Sequence, residues 1–148
     1  AHKLINSMLR VKGWEESFAT LDIMRLDLNG ATAHFLKSGA VQSYLCRDGG
    51  IKSIGGQAFP AGILPDCSPD ITEVKLFDGD MILMTSDGVE DATARELSTY
   101  TNGSAKLSVA DMVNKLGAKA LSQNNNGKQD DITIILAKIS LRNDENDS

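Results

Sequence analysis

The stretch MILMTSDGVEDA, residues 81–92, opens as an apolar run and stops on an Asp-Gly pair. A nearly continuous apolar run of this length is the pattern of a central strand covered on both faces. Two readings of its end compete. Asp87 either shapes a turn, as Asp-Gly pairs commonly do, or a rigid strand holds its carboxylate out for chemistry. The residues on either side bear on the choice.

Downstream, TARELSTY (93–100) reads as a short helix and SVADMVNKLGAKALSQ (108–123) as a longer one. Ser108 and Asp111 have the spacing of a capping box, and Val109, Met112, Val113, Leu116 and Ala120 fall on one helical face. NNNGKQ (124–129) breaks that helix. DDITIILAKISL (130–141) is dense enough in Ile and Thr for another central strand, and RNDENDS reads as a frayed acidic tail.

Upstream, ITEVKLF (71–77) alternates as a strand should, and DGD (78–80) turns the chain back in a hairpin. GGQAFPAGILPDCSPD (55–70) holds all three prolines and no periodicity, so it is a loop. QSYLC, RDGG and IKSI make one hairpin. FATLDIMRLDL (18–28), Asn29-Gly30 and ATAHFLK make another, with a two-residue type I′ turn expected at Asn29-Gly30. The apolar phase slips between Leu21–Ile23 and Met24–Leu26–Leu28, which predicts a bulge or a strand covered on both faces. Residues 1–12 place Leu4, Ile5, Met8 and Leu9 on one helical stripe opposite Lys3, Asn6, Ser7 and Arg10, with Gly13 ending the helix. The strands read as a mostly antiparallel meander in one α+β unit, residues 1–139, followed by a tail, 140–148.

Composition narrows the function classes. The chain has 148 residues, 41% hydrophobic and 24% charged, which suits one globular domain that needs no disulfides. Twenty acidic against fifteen basic residues give a net charge of −5, which disfavours nucleic acid. No apolar run approaches the ~20 residues that span a bilayer, so no membrane contact by this segment is expected. Cys46 and Cys67 form no CxxC motif. They are expected as reduced thiols in a cytoplasmic setting, neither with a His nearby to make it a nucleophile. His2 and His34 read as surface or cross-strand residues.

Asp87 closes one central strand and Asp130 opens another. If those strands are antiparallel neighbours, the two carboxylates meet at one edge. Their repulsion is resolved by a cation, and hard oxygen donors suit Mg²⁺ or Mn²⁺. Against this stands the plain reading in which Asp87 is a turn residue and Asp130 a cap. DGD at 78–80 has similar chemistry without the further ligands of a calcium loop, and no function is assigned to it.

MILMTSDGVEDA followed by DDITIILAKI (130–139) resembles the C-terminal half of the metal-dependent PPM (PP2C-like) protein serine/threonine phosphatases. ESFATLDIMRLDLNGATAHFLKSGA (16–40) and FPAGILPD (59–66) are similar to the bacterial branch that contains stage II sporulation protein E and the stress-response regulators of sigma factors. The resemblance runs from about Leu4 to Ile139. It implies an α-β-β-α sandwich of mostly antiparallel sheets flanked by helices, with a binuclear Mn²⁺ or Mg²⁺ centre whose activated water hydrolyses phosphoserine or phosphothreonine on a regulatory protein. By motif it makes Asp87 and Asp130 metal ligands, and leaves Glu90, Asp91 and Asp131 structural.

The earlier Asp-Gly strand of that family, whose Asp bridges the metals, has no counterpart before Glu15. Asp22 and Asp27 lie inside a strand, and RDGG (47–50) falls in the wrong order. The expectation is therefore an N-terminally truncated phosphatase domain, with metal binding weak or absent and little activity by itself. Its substrate would be a phosphorylated regulator of the anti-anti-sigma-factor type, and its exposed sheet edges would favour a homodimer. The rival reading is a non-catalytic PPM-fold binding module for a regulatory partner. The plainest is a β-rich structural domain whose Asp-Gly pairs are turns.

Overall fold

A computed structural model describes residues 2–11, 17–102, 107–123 and 131–141. Its elements run α1 (His2–Val11), β1 (Leu21–Asp27), β2 (Thr32–Ser38), β3 (Ser43–Arg47), β4 (Gly50–Ile54), β5 (Asp70–Lys75), β6 (Met81–Thr85), α2 (Asp91–Arg95), α3 (Leu97–Asn102), α4 (Val109–Gln123) and β7 (Ile134–Lys138). Gly13, the NNNGKQ breaker, Asp130 and the acidic tail from Arg142 lie outside the described residues.

The strands form two antiparallel sheets, ordered β1-β2-β5 and β4-β3-β6-β7, in line with the sandwich that the family resemblance implies, and the meander read from the residues is divided between them. Packing explains the division. Ala33 and Phe35 of the first sheet bury against Leu45, Ile54, Ile82 and Met84 of the second, whereas one continuous sheet would leave both sets wet. On its other face the second sheet buries Tyr44, Cys46, Met81 and Leu83 under Leu97, Met112, Leu116 and Ala120 of the helices. β6 sits between the two cores, so its alternate residues face opposite layers and all four of Met81–Met84 are buried. This is why its sequence shows no alternation.

The turns differ in detail from expectation. The β3–β4 turn is the two-residue kind, with Asp48 at φ 47° and Gly49 at φ 74°. The β1–β2 loop is longer. Asp27 pairs with Thr32, Ala31 takes the positive φ of 46°, and the Asp27 carboxylate accepts from the backbone N–H groups of Asn29 and Gly30. DGD joins β5 of one sheet to β6 of the other, so it is an inter-sheet corner and not a hairpin.

β1 has no bulge: its register with β2 is unbroken from Leu21↔Ser38 to Asp27↔Thr32. The phase slip arises because Asp22 takes an inward position, where it pairs with the buried Lys37 at 2.6 Å. Ile23 faces outward instead, in register with Leu36 and through it with Ile71, leaving an exposed apolar row on the outer face of the first sheet.

α1 is a helix as expected, turned the other way. Leu4 and Met8 are exposed, while His2 and Asn6 are buried. Asn6 donates to the carbonyls of Leu64 and Pro65 and accepts from Gly62 N–H at 2.6 Å, and His2 Nε2 lies 3.1 Å from Ser38 Oγ. The Asn6 bonds tie the helix to the proline-containing loop and the His2 contact ties it to the end of β2, so His2 is not the surface residue expected. His34 does lie across from Glu73 on the outer sheet face, 3.5 Å from its carboxylate.

Candidate metal centre

β6 and β7 are antiparallel neighbours, paired from Met81↔Lys138 to Thr85↔Ile134. Beyond that ladder the SDG and DIT segments stay side by side. Ser86 N–H donates to Thr133 O at 3.0 Å, Ser86 Oγ donates to Asp131 O at 2.8 Å, and Thr133 N–H donates back to Ser86 Oγ at 2.9 Å. Gly88 continues the contact. A Cβ there would stand 2.7 Å from the Asp131 carbonyl oxygen, so only glycine lets the two backbones close. The turn that carries Asp87 is thus pinned to the start of the DIT segment.

Asp87 is exposed, and its carboxylate makes no hydrogen bond or ion pair with another described residue. Several aspartates at turns and strand ends elsewhere in the chain accept backbone N–H groups. Asp27 accepts from Asn29 and Gly30, Asp70 from Gln57 and Ala58, Asp78 from Leu141, and Asp80 from Phe77. Asp87 makes no such bond among the described residues, as is also true of Asp48 in the β3–β4 turn; it differs from Asp48 in standing on the edge that Ser86 and Gly88 pin to the DIT segment. Asp130 itself lies outside the described residues, while Asp131, its neighbour in the chain, is exposed.

The other acids near Asp87 are differently occupied. Glu90 stands at the N-cap of α2 without a side-chain capping bond. Asp91 accepts from the Tyr44 hydroxyl through one oxygen and from Arg95 Nε at 2.7 Å through the other. The Tyr44 hydroxyl and then the Arg95 guanidinium hold the Asp91 carboxyl below the usual carboxylate range. Burial pushes the Tyr44 hydroxyl well above its ordinary value, and the bond to Asp91 adds to that. A cavity of about 260 Å³ opens beside this group, bounded by Val41, Gln42, Tyr44, Thr85, Val89 and Asp91.

Among the described residues no three His, Cys, Asp or Glu side chains gather as a metal-ligand set. What the described part brings is one carboxylate donor at Asp87, unpartnered and of the hard-oxygen kind that suits Mg²⁺ or Mn²⁺. Cys46 is buried with Sγ 3.3 Å from Thr101 Oγ1, and Cys67 Sγ lies 3.3 Å from Phe59 O, contacts that involve neither the SDG nor the DIT segment. Sequence reasoning missed Tyr44 and the Asp22–Lys37 pair. The pair left a trace in the strand phase slip, but a Tyr in an apolar run carries no signal for a helix that starts 47 residues later.

Residues 1–140 match the family model described as stage II sporulation protein E. The stage II sporulation protein E of Bacillus subtilis (strain 168) is 33% identical over 89 residues, which is 60% of this chain and 11% of that protein. Among solved structures, the PP2C phosphatase domain with a fragment of the regulatory domain of SpoIIE from B. subtilis superposes with a TM-score of 0.73 at 25% identity. The match covers 93% of this chain and 42% of that one. The catalytic domain of the serine/threonine protein phosphatase PstP, in complex with two manganese ions, superposes with a TM-score of 0.71 at 19% identity over 94% of this chain and 66% of that one. The architecture of two antiparallel sheets and packed helices is the PP2C phosphatase fold.

Proposed function

The chain belongs to the stage II sporulation protein E family, and from that premise we propose that it forms part of a metal-dependent protein serine/threonine phosphatase domain. Its contribution is the edge at which β6 and β7 end and begin, with Asp87 and Asp130 as ligands of Mn²⁺ or Mg²⁺. The observation that carries this reading is the exposed Asp87 carboxylate, without a partner among the described residues, on a turn pinned to the DIT segment by Ser86 and Gly88. A divalent ion held there supplies an activated water near neutral pH and neutralises charge on phosphate oxygens.

The residues of the chain do the positioning. The β6–β7 ladder sets the edge, Ser86 fixes the separation of the two segments, and Gly88 keeps the backbones in contact. No side chain is required as a covalent nucleophile, in keeping with cysteines whose contacts are to Thr101 and Phe59. The substrate we propose is a phosphoserine or phosphothreonine on a regulatory protein of the anti-anti-sigma-factor type, in the cytoplasm, where free thiols such as Cys46 and Cys67 persist. Two carboxylates hold a divalent ion weakly and do not place a bridging hydroxide with the accuracy that in-line attack needs. The 148 residues by themselves are therefore expected to hydrolyse phosphoserine slowly or not at all.

Calorimetric titration with Mn²⁺ tests the ligand assignment on the chain, Asp87→Asn and Asp130→Asn in parallel. Heat of binding in the unaltered chain that is lost in both variants is the expected result. Equal responses from all three would return Asp87 to a turn role and favour a non-catalytic binding module.

A further inference from the structure

Three acidic residues, Asp87, Glu90 and Asp91, crowd into five positions after β6. Their surroundings divide them. Asp87 has no described partner, whereas both oxygens of Asp91 are engaged, one by a buried sheet residue and one by a cation on its own helix. The Arg95 guanidinium also lies 5.5 Å over the Tyr44 ring, so the three side chains close a cycle of hydroxyl, carboxylate, guanidinium and ring.

We propose that Tyr44, Asp91 and Arg95 form a clamp that positions the Asp87 turn, making Tyr44 a positioning residue for the metal site; the inference rests on the metal reading of Asp87. The turn is then held from two directions. Ser86 and Gly88 anchor its near end to the DIT segment, and Tyr44 anchors its far end, the first residue of α2, to β3. Tyr44 is 3% exposed and its backbone is in register with Leu83 of β6, so the hydroxyl acts from the same rigid sheet that delivers Asp87. The clamp also removes a competitor. With its charge offset by Arg95, Asp91 does not add to the repulsion at Asp87, nor does it offer a second free carboxylate to a passing cation.

If the clamp were only a helix anchor, its loss would lower the unfolding temperature and leave metal affinity, measured well below that temperature, unchanged. The test compares the chain with Tyr44→Phe, Asp91→Asn and Asp87→Asn by two readouts. The first is metal-free amide exchange at Val89, Thr93 and Ala94, whose N–H groups bond to Ser86 and Glu90. The second is Mn²⁺ affinity by calorimetry.

Tyr44→Phe is expected to speed exchange at those amides roughly tenfold, the effect of losing one hydrogen bond to a charged group. It is also expected to weaken Mn²⁺ binding about tenfold, the usual consequence of loosening a group that orients a ligand. Asp91→Asn, at an exposed position that tolerates an amide, should move both readouts in the same direction. Unchanged exchange in both variants overturns the clamp whatever the metal does. Affinity lost in Asp87→Asn yet intact in Tyr44→Phe overturns the positioning role and leaves the metal reading standing. Equal Mn²⁺ responses from the unaltered chain and Asp87→Asn overturn the metal reading and the positioning role together.

Discussion

Asp80 shows how much one side chain can hold. It is 1% exposed at the corner between the sheets, where Arg47 grips both its oxygens at 2.8 Å and Phe77 N–H adds a third bond. Burial pushes its carboxyl up, but the Arg47 guanidinium and the Phe77 amide outweigh this and keep it below the ordinary carboxylate range. A carboxyl depressed in the folded state stabilises the protein above its unfolded value of about 3.9, and that stabilisation is lost as pH falls through the folded value. Asp80→Asn should therefore cost about 2 kcal/mol at neutral pH, the cost of breaking a partly buried charge-assisted pair. The difference from the unaltered chain should shrink on acidification, as read from urea unfolding at pH 7 and pH 3. At this scale the letters DGD and SDG look alike. The structure separates them by their partners, which lie at Arg47 in one case and at the DIT segment in the other.

At the scale of the element, α4 is the part most open to reading from its own residues. Ser108 Oγ and N–H both bond the Asp111 carboxylate, and Asp111 N–H donates back to Ser108 Oγ at 3.1 Å, which is the reciprocal box expected from the spacing. Met112, Leu116 and Ala120 are buried on the predicted face. Ser108→Ala should cost about 1 kcal/mol. That corresponds to a melting temperature lower by about 3 °C, checked by following helical circular dichroism on heating. α1 has an equally plain pattern, yet the face it buries is the one opposite its apolar stripe. Its apolar stripe gains less here than its Asn6, whose amide satisfies three backbone groups of a loop more than 50 residues away. Local periodicity reports which faces differ, and the partner determines which face is buried.

At the scale of the whole molecule, the Asp22–Lys37 pair sits where the two sheets meet. Lys37 is 1% exposed and also donates to Val41 O at 2.7 Å, which links the first sheet to the segment leading into the second. Gly55, at φ 66°, leaves the space its stem occupies, since a Cβ there would lie 2.5 Å from Lys37 Cδ. Lys37→Met should destabilise the chain by about 3 kcal/mol, because it leaves the largely buried Asp22 carboxylate without its cation. Adding Asp22→Leu should recover most of that loss in denaturant unfolding, since a packed apolar pair avoids the desolvation of two charges.

The sequence by itself determined the strand at 81–85, the capped helix at 108–123 and the β3–β4 turn. All of these follow from hydrophobic period, capping chemistry and turn residues, which act over a few positions. Only the tertiary structure decided which strands share a sheet, that β6 and β7 are neighbours and so set the SDG edge beside the DIT segment, that α1 buries its amide face, that Asp22 answers a buried lysine, and that Asp91 of α2 is held by a tyrosine of β3. Those outcomes depend on desolvation and pairing between residues distant in the chain, where the free energy of a side chain is set by what it meets and not by its neighbours in sequence.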